Sequence, residues 1–419
     1  MPSAADSGAD SGGDAPRIAA LDLIRGVAVL GILAVNIAGF SGPSAAVYTP
    51  HAIHPPSLAG DTTFAAMLVA FEGKMRALFT ILFGAGLLLF VERAEATGRD
   101  GAALQMQRLS WLALFGYLHF LLLWWGDILF LYAVAGMFAL ALRNMPSWPM
   151  LLLALVIFTL WQASGVAGDW DAVRIEHAVA GGTATGAETG WFAERMARRQ
   201  AVIDSETARQ ALSFGALMAD KLHTMPFYPL RVVWIAMGET LPWMMVGMLL
   251  LRTGFFAGQW PRAAMRGLAA AGIGLGGAAT MAFAIWAWDN AFPVEAMSMA
   301  INYALGFPHL LMGLGYLSLL MSAAPRLMAT RIGRRLIAAG RMAFSNYIGC
   351  SLVMTALFHG WGLGLAGKVP VAAEPLFVVL GWMLMLGWSK PWLARFRQGP
   401  LEWLWRSLTE KRWIAFQKH

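Results

Sequence analysis

The chain is short of charge and nearly empty of cysteine. Only 13% of its 419 residues are Asp, Glu, Lys or Arg, where a soluble domain carries about a quarter. So few charges cannot coat a water-facing surface, which excludes a soluble globular domain and a disordered chain together. The single cysteine, Cys350, has no partner for an intramolecular disulfide, so a disulfide scaffold is excluded as well. HExxH, GxSxG, CxxC and acidic calcium-loop motifs are all missing, and neither a zincin nor a serine hydrolase is signalled.

What is present is apolar: 58% of the residues are hydrophobic. A spanning helix needs roughly 20 mostly apolar residues. That ruler predicts an all-α polytopic membrane protein with about ten spans, at 20–41, 64–91, 109–125, 127–143, 148–166, 231–251, 264–288, 301–322, 342–360 and 373–389. The second span is long enough to be tilted, or broken near Glu72–Gly73. Residues 1–16, rich in Ser, Ala, Gly and Asp, read as a disordered tail without a signal peptide's basic start. The division that follows is a five-helix region over 17–166, an outer loop over 167–230, a second five-helix region over 231–398, and an interfacial helix and tail over 399–419.

The net charge of +7 sets topology rather than binding nucleic acid, because the basic residues are scattered over loops and not gathered on one face. Arginines crowd alternate loops, while the loops at 42–63, near 126, at 289–300 and at 361–372 hold only Lys368. Both termini are therefore expected in the cytoplasm. The long loop 167–230 breaks the pattern with several arginines, as long loops are free to do. It opens with a Gly/Thr/Ala stretch from Gly181 to Gly190 and then turns amphipathic, with Trp191, Met196, Ile203, Leu212, Phe214, Met218 and Leu222 at helical spacing.

Two glycine patterns mimic nucleotide motifs. Gly362 to Lys368 has phosphate-loop spacing, but Val369 stands where the magnesium-binding hydroxyl belongs and no strand precedes it. Gly272, Gly274, Gly276 and Gly277 lie inside a span, where small residues let helices approach closely.

Ionisable residues inside spans are costly and mark function by default. Asp22 and Arg25 share one face of the first helix; a local ion pair explains them, and so does a role for Arg25 in attracting a donor's phosphates. The outer half holds His51 and His54 in a loop, then Glu72, Lys74 and Arg76, His119, Asp127, Glu239, His309 and His359. A lone intramembrane histidine is usually a helix–helix hydrogen-bonding residue. Several at one depth beside carboxylates suit proton transfer, for which imidazole is best matched near neutral pH. The tight Trp124–Gly126 turn lets His119 and Asp127 meet across a helical hairpin.

The stretch Arg17 to Asn36, with Asp22-Leu-Ile-Arg25-Gly26, resembles the opening of bacterial YeiB-like membrane proteins that carry a DUF418 domain. Further blocks fit: Glu72 to Gly84, Gly116 to His119 with Gly126 to Tyr132, Gly247 to Gly254, and Gly340 to Tyr347 with Gly399 to Trp403. The Asp-x-x-Arg-Gly helix is also similar to that of transmembrane acyltransferases, the heparan-alpha-glucosaminide acetyltransferase and acyltransferase-3 groups. The resemblance implies a multi-pass protein of the bacterial inner membrane that moves an acyl group from cytosolic acyl-CoA, acetyl-CoA for example, to an outer acceptor. His119 with Asp127, or His51 or His54, would be the catalytic base; Asp22, Arg25, Asn36, Lys74, Arg76, Glu239 and His309 would contact donor or acceptor. Expected partners are membrane lipids, acyl-CoA, an envelope glycan, lipid or small-molecule acceptor, and a second copy in a homodimer. No permanent cofactor, metal or nucleic acid is expected. A transporter using the same charges, and a scaffold in which they are structural, are the competing classes.

Overall fold

A computed structural model describes residues 14–418, with side chains from residue 19 onward. Of the tail expected over 1–16, residues 1–13 lie outside the described residues, and 14–16 already belong to the first helix. Helices α1 (Asp14–Ser41), α2 (Leu58–Ala70), α3 (Lys74–Ala96), α4 (Gly101–Leu122), α5 (Leu129–Ala141) and α6 (Ser147–Ala180) come first. Next are α7 (Gly186–Gln210) and α8 (Phe214–Thr224), then α9 (Tyr228–Arg252), α10 (Arg262–Asp289) and α11 (Val294–Met299). The rest are α12 (Gly306–Ala329), α13 (Arg331–Arg341), α14 (Ala343–Phe358), α15 (Glu374–Arg395) and α16 (Pro400–Thr409). Among the described residues the only β pairing is an isolated bridge between Phe396 and Gln417.

Seven helical segments among the described residues are long and apolar enough to cross a membrane, and eight if α13 and α14, bent by 87°, are one span. The other two of the ten expected spans fall on α4 and α5. Helix α4 carries Gln105, Gln107 and Arg108 in its first half, which lowers its apolarity. Helix α5 has 13 residues, about 20 Å at 1.5 Å per residue, short of a 30 Å hydrocarbon layer. The long second span is broken where the sequence suggests. Gly73 adopts φ +73°, a conformation open to glycine, and a methyl group there would also overlap the His309 ring.

Small residues draw the helices together. A methyl at Gly84 of α3 would overlap the Met244 carbonyl of α9, and one at Gly272 of α10 the Leu311 carbonyl of α12. The glycine-rich run of α10 is thus a packing surface. Helix α6 continues well past residue 166, where a loop is expected, and only 181–185 separates it from α7. A Thr185–Glu188 capping box starts α7. The inward face of α7 and α8 is Ile203, Gln210, Leu217 and Lys221, whereas Phe214 and Leu222 are exposed.

Helix α7 is held down by charge. The Arg195 guanidinium donates from Nε and NH2 to the two Glu295 oxygens (2.8 and 2.7 Å), and Arg199 adds a third bond at 2.9 Å. Burial alone would raise the Glu295 carboxyl, but the two arginines outweigh it and hold the group below its usual value of 4.5. A carboxylate depressed in the folded state contributes stability above pH 4.5, lost as pH falls through the folded pKa. Amide protection factors across α7, corrected for the intrinsic pH dependence of exchange, should therefore be high at pH 7 and fall on acidification below 4.5. Glu295→Gln should reproduce the loss of protection at pH 7, by about 2 kcal/mol of local stability. Unchanged protection in both experiments would show that α7 is held by other contacts.

Candidate functional site

His119 sits one turn before the end of α4, and Asp127 lies in the turn that leads to α5. The His119 Nδ1 and Asp127 Oδ1 are 2.9 Å apart, with both side chains essentially sealed from solvent. The second Asp127 oxygen accepts the Phe130 N–H at 2.8 Å, so the carboxylate caps the start of α5 while it orients the imidazole. The other ring nitrogen, Nε2, is buried without a protein partner. The Tyr347 ring of α14 lies 5.0 Å from the imidazole, and its hydroxyl accepts the Ile128 N–H at 3.3 Å. Gly116 makes the arrangement possible: a methyl there would overlap the Phe130 amide and approach Asp127 Oδ2 to 2.8 Å.

Beside this pair a cavity of about 640 Å³ opens toward the arginine-rich end of the bundle. Its rim carries Arg25, Arg93, Arg99, Arg108, Arg341 and Arg406, against the carboxylates of Glu402 and Glu410. Farther in, the walls are apolar, with Leu82, Phe83, Leu87 and Leu129. The floor is Phe79, Ile128, Tyr132 and Tyr347. Two of these, Ile128 and Tyr347, flank the His119–Asp127 pair directly.

The rim is built from segments far apart in sequence. Arg25 and Asp22 form an ion pair at 2.5 Å on α1. Arg108 is held between the faces of Phe90 and Trp405, 4.0 and 4.5 Å from their centroids, by cation–π attraction. Helix α16 closes the rim. Its Glu402 accepts hydrogen bonds from the Phe344 and Ser345 amides and from Ser345 Oγ, joining the Gly340–Tyr347 and Gly399–Trp403 stretches into one unit. Burial pushes the Glu402 carboxyl up, while these donors pull it back. Glu410 pairs with Arg99 at 2.8 Å.

A second polar group lies behind the floor. Arg76 Nε is 2.8 Å from Glu239 Oε1, and Glu72 is 3.9 Å from the same guanidinium. The Arg76 carbonyl accepts a bond from Thr80 Oγ1, which is 2.5 Å from the Tyr132 hydroxyl, so this group adjoins the cavity floor. Lys74 is fully buried and donates to the Leu68 carbonyl at 2.8 Å. His309 is fully buried, and neither ring nitrogen has a protein partner.

His51 forms a separate imidazole–carboxylate pair, with Asp61 at 2.8 Å, in the loop before α2 and on that helix. His54 and Asn36 are half-buried and line no described cavity. His359 is buried with both ring nitrogens unpartnered, in a small pocket that also holds Lys221.

Asp61 and Lys221 are not visible from sequence pattern. Lys221 sits four residues after Leu217 on the buried face of α8, and that position on an amphipathic face is the one available signal. Its ammonium reaches the carbonyls of Phe120, Leu121 and Leu123 at 2.7 to 3.4 Å, satisfying the open end of α4 just beyond His119. Burial, with Arg209 adding to it, pushes the Lys221 amine down to about 7. Among the described residues no group of three or more His, Cys, Asp or Glu is placed to hold a metal.

Residues 250–412 match the model of a family described as a protein of unknown function, DUF418. The chain is 30% identical to YeiB of Escherichia coli (strain K12), over 94% of this chain and 96% of that one. It is 28% identical to YxaH of Bacillus subtilis (strain 168), over 96% of each. No solved structure matches.

The packing at Gly116 gives a direct check on the hairpin. Gly116→Ala should lower stability by about 1–3 kcal/mol through overpacking at Phe130, seen as a lower Tm in detergent. Asp127→Asn, which keeps an acceptor for the Phe130 amide, should cost less. Equal Tm values for Gly116→Ala and the wild type would mean that α4 and α5 are free to separate.

Proposed function

The chain belongs to the YeiB-like DUF418 family, and we propose that it is an acyltransferase of the bacterial inner membrane, taking an acyl group from cytosolic acyl-CoA to a hydroxyl or amine acceptor. One observation carries this reading. A single cavity runs from an arginine rim, suited to phosphates, through apolar walls to a floor that abuts a buried imidazole–carboxylate pair. The positive-inside pattern supports a cytoplasmic position for that rim, on the side where acyl-CoA is found.

In the proposed reaction, Arg25, Arg108 and their neighbours hold the donor phosphates, and the thioester end reaches the floor. Asp127 keeps the His119 proton on Nδ1, leaving Nε2 to take the proton from the acceptor as it attacks the thioester carbonyl. Arg76, just behind Tyr132, lowers the energy of the developing oxyanion. When the carbon–sulfur bond breaks, the imidazolium returns its proton to the departing thiolate. The acceptor leaves acylated, free CoA remains, and His119 is neutral again. His51, with Asp61, offers a second base in the outer loop for an acceptor bound there.

A second reading rests on the break at Gly73 beside Glu72, Lys74, Arg76, Glu239 and His309. Broken helices flanked by buried charge are also how transporters bind and relay ions. Protein in nanodiscs with labelled acetyl-CoA and envelope extract separates the two. His119→Ala should lower labelled product by about 10²–10⁴ without weakening CoA binding, and Arg108→Ala should weaken CoA binding. Absence of CoA binding and of any acyl product, together with proton-driven uptake into proteoliposomes that Glu239→Gln abolishes, would replace the enzyme with a transporter.

A further inference from the structure

The cavity wall contributed by α3 includes a regular stripe, Phe79, Leu82, Phe83, Gly86, Phe90 and Arg93, at spacings that keep one helix face toward the cavity, with Leu87 and Ala94 beside it. Gly86 is the one member of that stripe without a side chain. Glycine in a helix interior costs about 1 kcal/mol relative to alanine, so its presence asks for a local reason. For Gly84, two residues earlier, the reason is close packing on α9. For Gly86 packing offers none: a Cβ built there meets no heavy atom within 4 Å and would stand in the open space of the cavity.

Gly86 is also midway. Arg93 lies seven residues toward the rim and Phe79 seven toward the floor, each about 10 Å away at 1.5 Å per residue. Anything that touches both the arginines and the floor must be an extended molecule of about 20 Å and must cross α3 at this level. Phe83 and Phe90 stand one turn to either side of the crossing.

We propose that Gly86 is the gap through which the slender, uncharged arm of a phosphate-bearing ligand passes from the rim to the floor. The shared ligand chemistry is an anionic phosphate head with a long flexible arm. Under the acyltransferase reading, on which the identity of that ligand rests, the arm is the phosphopantetheine chain of acyl-CoA. A single-chain phospholipid has the same chemistry.

The experiment measures binding to the full-length protein in nanodiscs, wild type against Gly86→Ala and Gly86→Leu. The probes are adenosine 3′,5′-bisphosphate as a head without an arm, CoA, palmitoyl-CoA and lysophosphatidate. Gly86→Leu should weaken the arm-bearing ligands by about tenfold to a hundredfold and leave the bisphosphate within about twofold. Gly86→Ala should fall between, and neither variant should lower Tm. Equal loss for all probes, or no loss for any, would overturn the gap. If the wild type binds lysophosphatidate but not CoA, and Gly86→Leu blocks it, the gap stands while the acyl-CoA reading falls. If CoA binds and Gly86→Leu leaves that binding intact, the gap falls while the acyl-CoA reading stands.

Discussion

A carboxylate cannot stay inside an apolar bundle unless donors surround it, and Asp127 shows what that requirement builds. One oxygen faces the His119 ring on α4, and the other caps the first turn of α5. The bond to His119 depends on the two helices lying in near contact, which Gly116 permits, whereas the cap on Phe130 is local to the turn. Tyr347 then ties α14 to the same turn through Ile128 and Gly126. One buried side chain thus joins α4 to the start of α5, and the backbone of the same turn holds α14. The cavity floor includes Ile128 and Tyr347, which adjoin this turn without bonding to the carboxylate itself. The contacts that the proposed function assigns to catalysis are thus also contacts the fold needs, in keeping with the high stakes of buried polar networks.

The same requirement applies to the other buried charges, with different results. Lys74 and Lys221 both direct their donors to backbone carbonyls that a helix end or break has left open. Those lysines have an adequate structural explanation. His309 and His359 do not, because neither has a protein partner on either ring nitrogen. His119 lies between these cases: Nδ1 is committed and Nε2 is free. A committed and a free nitrogen on one ring suits the general-base role proposed for it; His119 does not itself line the large cavity, but Tyr347 and Ile128, which do, lie against the pair.

Much of the fold is legible as hydropathy, because burial in lipid demands long apolar runs. The break at Gly73 is legible too, since a 39-residue apolar segment is longer than a bilayer needs and Glu72–Gly73 is its weakest point. Helix α6 runs on beyond residue 166 because Asp169, Asp171 and Arg174 end its hydropathy without ending its helix. The His119–Asp127 pair is readable because the turn between them is short. The cavity is not. Its rim draws on α1, α3, α4, the α13–α14 bend and α16, so no local window contains it.

That dispersal changes how individual residues are to be weighed. In sequence, Arg108 is one more inner-loop cation of the kind that sets topology. In the fold it is clamped between Phe90 and Trp405, its position fixed by aromatic faces from two other elements. A topological arginine needs only to be on the right side of the membrane and gains nothing from such a clamp. The Trp405 indole also donates to the Arg108 carbonyl at 2.8 Å, so backbone and side chain of the same residue are both held by α16. Ordering a long cation costs rotamer entropy that a mere orientation signal would keep. Its restraint at the mouth of a cavity with an apolar interior thus suits the fixed anion of the proposed reading better than diffuse attraction to a membrane surface. Under the proposed reading, a phosphate held between Arg108 and its neighbours would direct the rest of its molecule inward along α3, past apolar walls that suit an uncharged arm.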